Sequence, residues 1–387
     1  MLTQIYNGTI HTPSGWVKGG SLIIEDNKIL EVMPTSLPIV GAELVDAQGM
    51  YVMPGFIDIH VHGGGGRDFQ EATRTAFLQI AESHAQHGTT SLYATLSCST
   101  NEMMVQAIDV CDELTRDPNC PIMGLHFEGP YINPAKAGAQ MDDLIRVPDS
   151  REYRALIDQS TSLARWDAAP EIPGVVEFGR YCSDHGVLPC IGHTNAEYHD
   201  VLAAYAAGFS HVTHFYNAMP GFHNKQGYKY EGTVESVYLL DDMTIECIAD
   251  GIHVPPTILR MAYKIKGVER MCVCTDALAV SALKPGVDAQ AFDPRVIVED
   301  GVCKLSDRSA LAGSIATTDR LVRTLVYQAD VPLFDAVRMA SETPAHIMHI
   351  NHRKGALSRG MDADIVMMDA ALTVKRVWQM GKEIVLD

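Results

Sequence analysis

No run of apolar residues in this chain is long enough to cross a bilayer. The opening residues Met1 to Gly8 carry no basic patch followed by an apolar core, so no secretory leader is expected either. Basic residues are also scarce: 30 lysines and arginines face 48 aspartates and glutamates, a net charge of −18. No broad positive field can form on such a surface, which argues against nucleic acid as a partner and means that an anionic substrate needs a locally basic pocket. Nine cysteines occur, an odd number with no C-x-x-C unit, the usage of reduced thiols in a cytoplasmic protein. Cys272 and Cys274 alternate with Met271 and Val273 in a strand-like run and are read as core. A dinucleotide-binding G-x-G-x-x-G after a strand is absent as well.

What is present is enough material for a large core, with 387 residues of which 47% are hydrophobic. From about residue 51 to 350, short apolar runs alternate with stretches of helical period, the pattern of parallel strands joined by crossover helices. Strands are predicted at Gly55 to Ile59, Thr90 to Thr95, Ile122 to Phe127, Leu163 to Ala168, Val187 to Ile191, Ser210 to Thr213, Met243 to Ala249 and Arg270 to Thr275. Helices are predicted between them, as at Thr73 to His87, Pro173 to His185, Ala196 to Ala207 and Pro255 to Lys264. Eight such units point to an α/β chain with a (β/α)8 TIM-like barrel over residues 53–355; an open, doubly wound sheet is the competing arrangement. The two chain ends read as short alternating strands with turn signals. Neither closes a sheet alone, so residues 1–52 and 356–387 are expected to pack together as a small β-sandwich domain. Residues 288–305 resemble a hairpin inserted late in the barrel.

The most informative stretch is Pro54-Gly55-Phe56-Ile57-Asp58-Ile59-His60-Val61-His62-Gly63-Gly64. Residues two apart on a strand face the same side, so His60 and His62 present two imidazoles together at the strand exit. The glycines after them let the backbone turn away. In a barrel, polar groups at the C-terminal strand ends carry the chemistry. Further strands end in Glu128, His193, His214 and Asp276, and the seventh leads into Asp250-Gly251-Ile252-His253. Any one of these histidines alone is more economically a hydrogen-bonded core residue. Five strand ends behaving alike are read as a metal centre.

Imidazole and carboxylate together suit zinc, iron, manganese or nickel and exclude a calcium site. Two ions bridged by Glu128 are one arrangement, with His60, His62 and Asp276 near one and His193 and His214 near the other; a single ion on Glu128, His193 and His214 is the alternative. Either would generate hydroxide at neutral pH for attack on an amide or ester carbonyl, with Asp276 as the group that moves the proton. His84 and His87 fall in a helix, His346, His349 and His352 belong to the surface, and His126 is read as packing, or as a residue that orients a ligand.

These motifs resemble the amidohydrolase superfamily, and within it the N-acetylglucosamine-6-phosphate deacetylases. The likeness lies in the Pro-Gly-Phe-Ile-Asp-x-His-x-His start and in five blocks: His126 to Asn133, Gly192 to Ala196, Thr213 to Pro220, Ala249 to His253 and Thr275 to Ala277. The resemblance implies a cytoplasmic, metal-dependent release of acetate from N-acetylglucosamine 6-phosphate. It also implies Glu128, His193 and His214 as metal ligands, Asp276 as acid and base, Asn217, Ala218 and His253 as sugar-phosphate contacts, and a homodimer. Two positions depart from the family pattern. Gln140 stands where a substrate-contacting histidine is usual, and Lys225 is the nearest cation to where a phosphate-binding arginine from the partner subunit is expected. N-acetylgalactosamine 6-phosphate, another N-acyl compound, or a sugar-binding role without catalysis are the rival expectations.

Overall fold

The computed structural model describes residues 1–283 and 296–386. Its centre is a parallel sheet of eight strands: β1 Phe56–Val61, β2 Thr89–Leu96, β3 Ile122–Tyr131, β4 Leu163–Ala168, β5 Leu188–Ile191, β6 His211–Val212, β7 Thr244–Ile248 and β8 Met271–Cys274. The strands neighbour one another in chain order, without the reversal that a doubly wound sheet requires. A bridge from Val61 to Ala277 joins the first and last strands at their C-terminal ends, and Asp276 N donates to His60 O at 2.9 Å. The result is a nearly closed barrel. β1 and β2 are buried along their full lengths, as expected for strands covered by side chains within and helices without.

Helices α1 Arg74–Ala85, α2 Asn101–Leu114, α3 Ser150–Gln159, α4 Val175–Asp184, α5 Tyr198–Ala206, α6 Thr233–Leu239, α7 Pro256–Lys266 and α8 Thr318–Tyr327 follow the strands in turn. Their starts are chemically marked. Thr73, Thr100 and Asp149 accept hydrogen bonds from Ala76 N, Met103 N and Arg151 N, satisfying amides that the first helical turn leaves unpaired. On α8, Leu321, Val322 and Leu325 are buried, and each such side chain contributes roughly 1.5–3 kcal/mol on transfer from water.

The chain ends meet in one mixed eight-stranded sheet. Its first strand, Leu2–Thr12, pairs antiparallel with Gly15–Glu25 and parallel with both Glu43–Asp46 and Tyr51–Pro54. The returning C-terminal strand Ile365–Met368 lies antiparallel on Tyr51–Pro54, the segment that runs into β1. A separate core of Ile5, Ile10, Leu22, Ile365 and Trp378 fills this sheet. His11 ties the sheet to the barrel's helices: its ring stacks on Phe334 at 4.2 Å, and its Nε2 is 3.1 Å from the Phe334 carbonyl oxygen.

The hairpin expected late in the chain is present as Val296–Glu299 paired antiparallel with Val302–Leu305; the part of that expectation at 288–295 lies outside the described residues. β6 is shorter than its pattern suggested because the backbone leaves strand geometry to turn His214 inward, with φ of +30°. No helix among the described residues is long and apolar enough to cross a membrane.

Candidate metal centre

Six side chains far apart in sequence converge at the C-terminal end of the barrel. His60 sits in β1 with His62 just past its end, and Glu128 sits in β3. His193, His214 and Asp276 each lie two residues beyond the ends of β5, β6 and β8. All three have left-handed backbones, with φ of +46°, +30° and +48°. Non-glycine residues adopt this conformation at a cost on the order of 1 kcal/mol each, so the surrounding structure has to enforce it. Backbone bonds do so: His193 O accepts from Asn133 N, His214 O from Asn217 N, and Asp276 O from Ser314 N, at 2.7–2.9 Å.

The six groups form two triads that share one carboxylate. Glu128 Oε1 is 3.1 Å from His193 Nε2 and 3.0 Å from His214 Nε2, and those two nitrogens are 3.0 Å apart. In the second triad, His60 Nε2 and His62 Nε2 are 3.2 Å apart and lie 3.4 and 3.2 Å from Asp276 Oδ1. Glu128 also faces this side, with Oε2 3.3 Å from His62 Nε2. All six residues are buried.

With the His60 and His193 rings neutral, the protons cannot be arranged to make all these contacts ordinary hydrogen bonds. His193 Nδ1 is 2.7 Å from the Lys136 carbonyl oxygen, and His60 Nδ1 is 2.8 Å from Glu246 Oε1. Each Nδ1 must therefore carry the proton, so in the neutral ring Nε2 presents a lone pair. Those lone pairs point at carboxylate oxygens and at each other. A divalent cation resolves that conflict, and the imidazole and carboxylate donors suit one. Cys272 and Cys274 are buried free thiols, and Cys274 lies within 4.8 Å of ligand atoms of both His60 and Glu246.

Electrostatics make the same demand. Burial pulls His62 down, but the Asp276 and Glu128 carboxylates outweigh it and hold its pKa well above the ordinary value. His214 is likewise pulled down by burial and then raised by Glu128, to about 9. Burial pushes Glu128 up, yet His193 and His214 hold it well below the usual carboxylate range. Asp276, also pushed up by burial, is kept low by His60 and His62. Two buried carboxylates thus stay ionised and draw positive charge, either as protons on histidine or as a metal that displaces those protons.

The centre opens into a cavity of about 880 Å³. Gln140, Asn217, Ala218 and His253 all line it. Gln140 takes a place in the polar network, donating from Nε2 to Glu128 Oε2 while its Oε1 accepts from Cys98 N. His253 is fixed by Asp250, whose Oδ2 is 2.7 Å from Nδ1. Lys225 is the exception: it sits on the exposed hairpin His223–Lys225 and Tyr228–Tyr230, pairs with Glu197 at 3.0 Å and is not part of the cavity wall. Among the described residues, the lysine that does line the cavity is Lys136, which the motif reading passed over. His84 is buried within α1, with Nε2 2.9 Å from the Gly63 carbonyl oxygen, while His346, His349 and His352 are exposed.

Apart from His126, a buried polar layer also escaped motif reading. Below the six groups lie His126, Arg165, Asp167, His211 and Glu246, all fully buried. His126 Nε2 is 2.9 Å from Asp167 Oδ1, and its ring packs edge-on against His60 at 4.7 Å. The signal existed: Arg165 and Asp167 alternate with apolar residues in β4, so two charges had to point into the barrel.

With this geometry established, the family assignment follows. The Amidohydrolase family matches residues 51–384. An N-acetylglucosamine-6-phosphate deacetylase of Lysinibacillus sphaericus is 30% identical, across 98% of this chain and 96% of its own. An N-acetylgalactosamine-6-phosphate deacetylase of Shewanella sp. (strain ANA-3) is also 30% identical, across 86% of this chain and 82% of its own. Among solved structures, an aspartate-to-alanine variant of the Mycobacterium smegmatis N-acetyl-D-glucosamine-6-phosphate deacetylase, in complex with N-acetyl-D-glucosamine-6-phosphate, superposes with a TM-score of 0.90 at 29% identity, covering 99% of each chain. The chain belongs to the amidohydrolase family. Within it, the branch is that of the amino-sugar-phosphate deacetylases, and the chain is an enzyme of that kind.

Proposed function

We propose that this enzyme hydrolyses the 2-acetamido group of N-acetylglucosamine 6-phosphate, giving glucosamine 6-phosphate and acetate. The observation that carries the reading is Glu128 shared between two histidine triads, with Asp276 at the wall of a cavity large enough for a hexosamine phosphate. Glu128, His193 and His214 would hold one divalent ion, and His60, His62 and Asp276 with Glu128 a second. When bound there, such an ion would let water ionise near neutral pH and would polarise the amide carbonyl.

The chain's own residues do the rest. Asp276 stays ionised beside His60 and His62, so it takes the proton of the attacking water and returns it to the departing amine nitrogen. Asn217, the backbone at Ala218, Gln140 and His253 orient the sugar against the centre. Lys136 supplies the cavity's own cation for phosphate. In a homodimer, Lys225 of the exposed hairpin would add a second cation to the partner's cavity; sedimentation of the purified protein tests that assembly.

N-acetylgalactosamine 6-phosphate is the second reading, favoured by a galactosamine-type relative at the same identity as the glucosamine-type one. Acetate release should be measured on both acetylated hexosamine 6-phosphates and on their unphosphorylated forms. The expected result is the highest kcat/KM on N-acetylglucosamine 6-phosphate. A preference for the galactosamine isomer selects the second reading, and turnover of unphosphorylated sugars alone overturns both.

A further inference from the structure

Beneath the second triad lies a buried ion pair that nothing in the hydrolytic chemistry calls for. Arg165 and Glu246 are fully buried, on β4 and β7. Arg165 Nη1 donates to Glu246 Oε2 at 2.6 Å and Nη2 donates to Oε1 at 3.3 Å, a two-pronged grip. The guanidinium also donates to Ile59 O in β1 at 3.1 Å and to Thr213 Oγ1 at 2.8 Å. Glu246 turns its Oε1 to His60 Nδ1 at 2.8 Å and its Oε2 to His211 Nε2 at 3.2 Å. Glu246 and His211 also lie close to Cys272, a grouping that could suggest an ion deep in the barrel. The guanidinium already occupies the cationic role there.

A carboxylate on the far nitrogen of a metal-binding imidazole fixes which nitrogen is protonated and where the ring points. Removing such a partner commonly costs 10–100-fold in metal affinity. We propose that Glu246, held in place by Arg165, is a positioning residue that locks His60 with Nε2 toward the cavity and so makes the second triad able to hold its ion. Glu246 itself touches neither substrate nor ion. The first triad is braced without Glu246: His193 leans on the Lys136 carbonyl, and Glu246 reaches His214 only through its backbone amide at 3.3 Å. The proposal rests on the two-ion reading of the site, so the test separates the two.

Zinc titration of metal-free protein, followed by calorimetry and elemental analysis, gives stoichiometry and affinity without any turnover measurement. Wild type should bind two zinc ions per chain, and His60→Asn should remove one of them. Glu246→Gln should weaken that same ion 10–100-fold and change the other by less than about threefold. Because Glu246→Gln strands a buried guanidinium, the pair Arg165→Met with Glu246→Leu provides a second variant. Replacing both charges by apolar groups of similar size tends to preserve folding, and this variant should lose the same ion. Two ions bound with unchanged affinity in the folded double variant would overturn the positioning role alone. One ion in wild type would instead overturn the two-ion reading and the proposal with it.

Discussion

Buried charge is balanced differently in two parts of this molecule. In the chain-end sheet every buried carboxylate has a basic partner: Lys354 lies 2.5 Å from Asp364 and 3.1 Å from Asp362, and Asp362 also takes Arg353 and Lys28 at 2.7 Å. At the barrel rim, Glu128 and Asp276 face imidazoles and an amide but, among the described residues, no ammonium or guanidinium. The first arrangement is self-complete and serves stability. The second carries negative charge that only added protons or a cation can satisfy, and therefore serves function.

The sharpest way to break this contrast is to neutralise one charge in each place. Asp276→Asn should lower kcat about 10³-fold while KM stays within about threefold, because the side chain moves a proton and is only one of several groups around the sugar. Acetate release under saturating substrate checks it; unchanged turnover would remove Asp276 from the mechanism. Lys354→Met should do the reverse. It leaves Asp364 buried without its cation, at a cost of about 3–5 kcal/mol in denaturant unfolding, while the folded fraction keeps its kcat.

His11 offers a third kind of balance, a buried base kept neutral. Burial pulls its pKa from 6.5 to about 4, against the pull of the Phe334 carbonyl. Between those values the unfolded chain binds a proton that the folded chain refuses, so stability falls as pH drops from 6.5 to 4 and the loss is complete below 4. The expected size is about 3 kcal/mol. Other buried histidines titrate too, His84 in the same direction and His214 in the opposite one, so the measurement is the difference between wild type and His11→Gln across that window; parallel curves would refute it. The smallest effect should come from Lys136→Met. It should raise KM about tenfold for phosphorylated sugars, roughly 1.4 kcal/mol, and leave unphosphorylated ones unaffected. An equal rise for both would show that Lys136 does not meet phosphate.

Much of this architecture was legible before any coordinates. Strands β1 to β8 announced themselves because apolar runs bounded by glycine and polar turns have few other uses, and His60, His62, Glu128, His193, His214 and Asp276 stood out by ending them. Periodicity says which face a residue occupies but not which neighbours it meets across the barrel. That is why Glu246 and Arg165, two strands' worth of sequence apart, could not be paired by eye. Lys225 is the opposite case: likeness of position suggested a phosphate contact reaching in from a partner subunit, and within one chain its ammonium pairs with Glu197 on an exposed hairpin. Lys136 had no periodic or motif signal at all, since its loop follows neither period.

The left-handed backbones at His193, His214 and Asp276 bear on how this centre is best dissected. Alanine at any of the three would delete a donor and also leave a residue that resists the local twist, so a folding defect would masquerade as a lost ligand. Asparagine, which accepts that twist more readily than most side chains, and glycine, which accepts it freely, remove the function while sparing the loop. An alanine scan of this rim would exaggerate the importance of these three positions relative to His60, whose strand geometry tolerates the same truncation.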